Sequence, residues 1–341
     1  MINLRQRIWM GRVFFLLLLT AAAGIEAREN DGTLGLIQTP NNGVPAIVFA
    51  GKTFDAVLTA RAELKLAAAD KEYPVTAEFA PLPGGRYRAT CSLPPDAPAG
   101  TYSLLATADG KSDRNDRAVF VRAESPEYYV IGHLSDTHVG REGLDAAARG
   151  VLDALNQSEA AFVIVTGDLT DHGEPEQYRA FLGILDTCKL PTFVCPGNHD
   201  RKADNYEQFF GPLTYMFTFG PDGYLAFDTM DYAIADDLGP QNGLLEIYRR
   251  ALKPCRWSVG LTHRYDPAMG MRSQLILFID NPLDFLLFGH WHRENTQEEK
   301  TVPWGGTRIS VVPAALDGQF RLLDMTARGL LPRPVQKIEA K

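Results

Sequence analysis

From Thr33 to Arg122 the chain alternates apolar and polar residues in short runs bounded by turn signals. Ala46-Ile47-Val48-Phe49 runs into Gly51, and Phe54-Asp55-Ala56-Val57-Leu58 follows. Arg86 to Cys91 leaves the turn Pro83-Gly84-Gly85, Tyr102 to Ala106 leaves Pro98-Ala99-Gly100, and Ala118 to Val121 closes the set. Strand-period alternation with turn clusters at roughly 8 to 16 residue intervals predicts a small all-β sandwich. It holds no cluster of titratable groups, so no chemistry is assigned to it.

The rhythm changes after residues 124–127, which read as a linker. Strands of continuous apolar type now alternate with helices. Tyr128 to Gly132, Phe162 to Val165, Phe193 to Cys195, Leu225 to Phe227, Ser258 to Leu261 and Phe285 to Phe288 read as strands. Leu144 to Leu155, Pro175 to Leu185 and Leu244 to Leu252 read as helices. Fully apolar strands between helices predict an α/β domain with both sheet faces covered. The expected division is 28–123 for the sandwich, 124–127 for the linker, 128–325 for the α/β domain and 326–341 for a C-terminal tail. The total of 341 residues suits two domains rather than one small core.

Residues 1–27 stand apart. Arg5, Arg7 and Arg12 precede the apolar run Val13 to Leu19, and small residues lead to Ala27. A basic start, a short apolar core and a small-residue exit predict a secretory signal peptide and an exported protein. An uncleaved membrane anchor is the alternative; no transmembrane span is expected after cleavage. The formal net charge is -8 with no dense block of Lys and Arg, which argues against a general nucleic-acid-binding surface. The sequence does not set the oligomeric state. Cys91, Cys188, Cys195 and Cys255 lack zinc-knuckle spacing, and small buried hydrophobes are the default reading for all four.

Five strands of the α/β half end in polar signatures: Asp136-Thr137-His138, Gly167-Asp168, Gly197-Asn198-His199-Asp200, Thr262-His263 and Gly289-His290-Trp291-His292. In open α/β folds ligands bind at the carboxyl ends of strands, so these loops can converge. Asp136 and Asp168 pressed together would repel, a conflict that metal ions remove. Asn198, His138, His263, His290 and His292 complete seven O/N donors without thiolate, too many for one tetrahedral site and suited to two divalent ions such as Mn, Fe or Zn. The glycines at 167, 197 and 289 let the backbone turn beside the donors. His133 falls on the opposite strand face from Asp136 and reads as structural, and His172 as a solvated rim residue. Trp291 reads as packing on the second sheet. Arg141, Arg201 and Arg264 each follow a motif, and Arg264 is the preferred contact to a substrate phosphate.

The order D-x-H, G-D-x-x-D, G-N-H-D, an isolated H and G-H-x-H resembles the calcineurin-like metallophosphoesterases over roughly Tyr128 to Met325. The resemblance implies a four-layer α/β/β/α sandwich with two mixed sheets. It implies that Asp136, His138 and His292 hold one metal, that Asn198, His263 and His290 hold the other, and that Asp168 bridges. It implies attack on phosphorus by a metal-bridging hydroxide, with His199 facing the substrate and assisting the leaving group and Asp200 orienting the His199 ring. Asp171 stands where purple acid phosphatases carry a tyrosine. "GDLTDHG" with "GNHD" is more similar to the cyclic-nucleotide phosphodiesterase branch. A phosphodiester is therefore the expected substrate, with nucleotides and cell-envelope diesters open; a phosphomonoesterase and a non-catalytic metal-containing binding protein are the alternatives. The segment "LPPDAPAGTYSL" resembles the approach to a late strand of immunoglobulin-like domains.

Overall fold

The computed structural model describes residues 31–228, 247–265, 282–294 and 306–338. The expected signal peptide and the first residues of the helix expected over 244–252 lie outside these. Among the described residues no helix is long and apolar enough to cross a membrane.

The first part is all strand: β1 (Ile37–Thr39), β2 (Ala46–Phe49), β3 (Thr53–Leu58), β4 (Glu63–Ala68), β5 (Lys71–Leu82), β6 (Arg86–Ser92), β7 (Gly100–Ala108) and β8 (Lys111–Arg122). They are bonded in the order β1-β3-β6-β5-β4-β7-β8-β2, antiparallel except for β2 on β8. β5 turns the corner, because its residues 71–75 pair with β4 and its residues 76–82 with β6. The two halves of the path then share one core, with Ile37, Phe54, Leu58 and Cys91 against Leu64, Leu66, Tyr102 and Val119. Alternation does not reveal β4 and β5. Their stretch "ELKLAAADKEYPVTAEFAPL" is rich in helix-favouring Ala, Lys and Glu and carries Pro74 and Pro81, unusual inside strands.

The second part contains β9 (Tyr129–Leu134), α1 (Asp145–Asn156), β10 (Ala160–Thr166), α2 (Pro175–Leu185), β11 (Thr192–Cys195), α3 (Tyr206–Phe210), β12 (Tyr215–Phe219), β13 (Asp222–Ala226), β14 (Ser258–Leu261), β15 (Phe285–Phe288), β16 (Arg308–Val311), β17 (Gln319–Thr326), β18 (Gly329–Pro332) and β19 (Gln336–Lys337). One mixed sheet runs β11-β10-β9-β17-β18, with β19 on β17; the other runs β12-β13-β14-β15-β16. Strand alternation decides the layers. Phe162 and Ile164 of β10 face the second sheet, where Tyr224, Val259 and Leu287 meet them. Val163 and Val165 of the same strand face Val151 and Leu155 of α1 and Phe181 and Leu185 of α2. On the far side Leu225, Leu286 and Phe288 pack against Leu252, in the helical residues 247–252. The layers are therefore helix, sheet, sheet, helix. Of the expected tail 326–341, the described residues 326–338 belong to the fold: β18 and β19 are bonded to β17.

The two parts are locked together at the edge strand β11. Its Val194 amide donates to the Gly43 carbonyl at 2.9 Å, and the Asn41 side chain donates to the Phe210 carbonyl at 3.1 Å. A Cβ on Gly43 would stand 2.4 Å from the Phe210 ring. Val44, Ile47 and Phe49 complete the core between the two α/β sheets. An uncovered edge strand beside exposed aromatics is an aggregation site. A chain starting at Ser125 is accordingly expected to aggregate, or to lose its cooperative thermal transition, in size-exclusion chromatography and calorimetry. A monomer that melts like the full chain would show the parts to be independent.

Candidate active site

All five polar strand ends meet at one place, at the carboxyl ends of β9, β10, β11, β14 and β15. The loops are stitched to one another by backbone bonds: Asp136 N–H to the Gly167 carbonyl, His138 N–H to the Asp168 carbonyl and Gly289 N–H to the His263 carbonyl, at 3.0, 3.0 and 3.1 Å. Asp136, His138, Asp168, His290 and His292 all take positive φ, between 45° and 63°. Non-glycine residues avoid this region, and each such residue costs of order 1–3 kcal/mol unless its surroundings enforce it. Five of the expected ligands thus sit in strained backbone at one location. Gly167 also has positive φ, 81°, as its expected turning role requires. Gly197 serves a different end: a Cβ there would lie 2.2 Å from Asp168 N and Oδ1.

Side chains of Asp136, His138 and His292 bring one ligand atom each within 4.8 Å of one another, and so do those of Asp168, His263 and His290 and those of His138, Asp168 and His199. His263 Nε2 is 3.2 Å and His138 Nε2 3.6 Å from Asp168 Oδ2, so Asp168 stands between the first two groups. His292 Nε2 is 3.2 Å from Asp136 Oδ1. Buried polar atoms are almost always hydrogen-bonded, yet Asp136 Oδ1, His138 Nε2 and Asn198 Oδ1 are buried without a hydrogen bond. All three are atoms that a cation would use. Two buried carboxylates, four imidazoles and an amide oxygen with these orphaned atoms fit a pair of divalent metal ions. Asp136, His138 and His292 would hold one, Asn198, His263 and His290 the other, and Asp168 both.

Protons supply the compensating charge in the protein alone. Burial disfavours a charged His263 ring, but Asp168 and Asp136 outweigh it and raise its pKa to about 9. His290 is pushed down to about 4 by burial and then by the charges of His263 and Arg264. A metal ligand must be a neutral imidazole, so metal must displace the His263 proton. Metal uptake at pH 7.5 is expected to release about one proton from this ring, and affinity to rise with pH until about 9. Calorimetric titrations in buffers of different ionisation enthalpy measure the release; uptake without it would contradict this protonation.

The histidine of the GNHD loop lies beside the expected ligands His138 and Asp168, and the carboxylate next to its ring is not the expected one. Asp200 is fully buried. Its oxygens accept from the amides of Gly197, Leu169 and Thr170 and from the Thr170 hydroxyl, at 2.8 to 3.0 Å. Asp200 therefore ties the β10 and β11 loops together. Burial and the Asp168 charge push its carboxyl up to about 7, against the pull of the amides. The residue beside the His199 ring is Asp171: Nδ1 donates to its carbonyl at 2.7 Å and lies 3.4 Å from its Oδ1. That same Oδ1 is 3.2 Å from His138 Nδ1. Lys202 Nζ donates to the Asp171 carbonyl at 3.0 Å. The sequence signal for Asp171 was the second carboxylate of G-D-x-x-D.

Arg264 is half-buried and near enough for its charge to act on His290. Arg201 turns to Asp228 and Asp204, at 3.4 and 3.3 Å, and Arg141 is exposed. His133 is buried with Nε2 on Thr166 Oγ1 at 3.0 Å, and His172 is exposed at the rim. Trp291 packs edge-on against Phe288. All four cysteines are unpaired.

The calcineurin-like phosphoesterase family matches residues 129–294. A glycerophosphodiester phosphodiesterase of Enterobacter lignolyticus is 29% identical over 117 residues, which cover 31% of this chain and 40% of that protein. A protein of Coxiella burnetii named probable cyclic nucleotide phosphodiesterase is 26% identical over 213 residues, covering 54% of this chain and 82% of its own. The chain thus spans less than half of the first relative and most of the second. A purple acid phosphatase from yellow lupin seeds superposes with a TM-score of 0.54 at 14% identity, covering 84% of this chain and 69% of that one. This last likeness shows a shared fold.

Proposed function

The chain carries a domain of the calcineurin-like phosphoesterase family over residues 129–294, and from that premise we propose that it is a metal-dependent phosphoester hydrolase acting on diesters. The observation that carries the reading is the convergence of seven side chains able to bind metal, three with orphaned buried atoms, beside His199, whose Nδ1 is held by the Asp171 carbonyl. Two divalent ions bound there acidify water and neutralise charge on phosphoryl oxygens.

The protein's own groups do the rest. The Asp171 carbonyl, 2.7 Å from His199 Nδ1, orients the ring, which leaves Nε2 to serve the departing oxygen. Asp171 Oδ1 lies 3.4 Å from the same ring nitrogen, and Lys202 Nζ 2.9 Å from it. Asp168 Oδ1 accepts from the His199 amide at 2.8 Å, so the residue that joins the two ligand groups also sets the position of the acid. Arg264 supplies a cation for a phosphoryl oxygen.

Diester preference is supported by the two relatives, both named as phosphodiesterases. An exported protein is supported by residues 1–27, with a membrane-anchored form as the alternative. An immunoglobulin-like reading of the first eight strands is supported by Tyr102, whose hydroxyl donates to the Pro98 carbonyl at 2.7 Å. A tyrosine bonded back to the preceding corner is a recurrent device of such sandwiches. Manganese-loaded protein is expected to hydrolyse bis(p-nitrophenyl) phosphate faster than p-nitrophenyl phosphate. Preference for the monoester would move it to the phosphatases.

A further inference from the structure

The loop bearing His290 and His292 leaves the second sheet, whereas Asp136 and His138 leave the first. The metal group formed by Asp136, His138 and His292 therefore spans two sheets, and something must fix the distance between them. On the entry side of the loop the restraint is plain. Gly289 leaves no room for a Cβ beside Ser135 Oγ, at 1.9 Å, and the His290 amide donates to Asp136 Oδ2 at 3.0 Å. His292 is less held. Its side chain is 41% exposed and its backbone sits at a φ of 50°. Among the described residues the contacts beyond it are Arg293 over the Trp291 ring and an ion pair from Glu294 to Arg321.

Arg321 is an unusual residue for its place. It lies inside β17, opposite His133 of β9, and is only 4% exposed. β17 pairs directly with β9, the strand that delivers Asp136. Arg321 Nη2 meets Glu294, and Nη1 donates to the Val311 carbonyl of β16 at 3.3 Å. His133 can only be neutral or cationic and so is no counter-charge; burial and then Arg321 itself push that ring down to about 3, which keeps it neutral. A buried guanidinium needs a carboxylate partner, and Glu294 is the one in contact.

We propose that Arg321 is a positioning residue: through Glu294 it pins the His290–His292 loop of the second sheet to the first, and so sets the affinity of the metal site that His292 completes. The inference rests on the two-metal reading above. Neither Arg321 nor Glu294 is a ligand; each acts on His292 through the backbone.

The test is a calorimetric titration of metal-stripped full-length protein with Mn, in wild type, Glu294→Gln, Arg321→Met and Arg321→Lys. Glu294→Gln is the primary variant, because Glu294 is partly exposed and glutamine still offers an oxygen to the guanidinium; Arg321→Met, which removes the buried charge itself, controls for the unpaired cation. Residues that orient metal ligands typically contribute about 10- to 100-fold in affinity. One of the two binding events should weaken by about that factor in Glu294→Gln and in Arg321→Met, while the other stays within about threefold. The double variant should add little to either single one, and Arg321→Lys, which keeps the charge, should recover part of the loss. Two wild-type binding events in Glu294→Gln would overturn the assignment. So would equal weakening of both events with a lowered Tm, which marks a general loss of stability. Wild-type protein that takes up no metal would overturn the metal reading itself and this assignment with it.

Discussion

Asp168→Asn should leave the fold unchanged and nearly abolish turnover. The substitution is a severe test because it alters so little else. Residue 168 has a φ of 49°, which asparagine tolerates better than most residues. An amide oxygen can still accept from the His199 amide, as Oδ1 now does at 2.8 Å. What disappears is the charge between His263 and His138. Despite its burial Asp168 is held well below the usual carboxylate range, by His263 first and by the His199 amide and ring after it, so it is ionised throughout the working pH range. Removing a single stabilising donor from an active site costs about 10²- to 10³-fold in rate. Losing the residue shared by both ligand groups should cost at least about 10³-fold by the same measure, with weaker metal uptake. Near-normal activity in Asp168→Asn would refute the shared role.

His199→Ala should separate catalysis from metal binding. His199 has a hydrogen bond to the Asp171 carbonyl but no expected role as a ligand, so metal uptake should match wild type. A positioned general acid is typically worth about 10² to 10⁴ in rate, and the fall in kcat should lie in that range for diesters with alkyl leaving groups. It should be smaller for p-nitrophenyl esters, whose leaving group departs without a proton. Asp171→Asn should affect both properties, because one carboxylate oxygen faces His199 and His138 alike. Asp200→Asn should act mainly on stability, since its oxygens serve the amides of two loops. Equal losses across leaving groups in His199→Ala would contradict an acid role for that residue.

The contrast between Asp171 and Asp200 shows where sequence reasoning stops. The strand ends carrying the seven candidate ligands are legible because apolar runs and polar termini leave a periodic trace, and clustered carboxylates and imidazoles require a common cause. Which carboxylate faces His199 was not legible. Asp200 follows it directly, but the turn directs that side chain inward to backbone donors, and Asp171 arrives from another loop. Gly197 looked like a turning residue and proved to be a close approach to Asp168. β17 lay beyond the periodic pattern because "QFRLLDMT" places Arg321 inside a buried strand. The interruption that hid the strand is the residue assigned to hold the His292 loop. β4 and β5 escaped because composition argued for helix while pairing with neighbours decided for strand, a tertiary outcome that local propensity does not encode.

The central claim is that two metal ions on this ligand set make the chain a phosphoester hydrolase. The most direct test follows the rate of bis(p-nitrophenyl) phosphate hydrolysis as metal-stripped protein is reloaded with Mn in measured equivalents, beside Asp168→Asn. The account predicts no turnover without metal, a rate that saturates near two equivalents, and almost none in the variant. Turnover in metal-free protein, or silence in wild type shown to hold two ions, would contradict it.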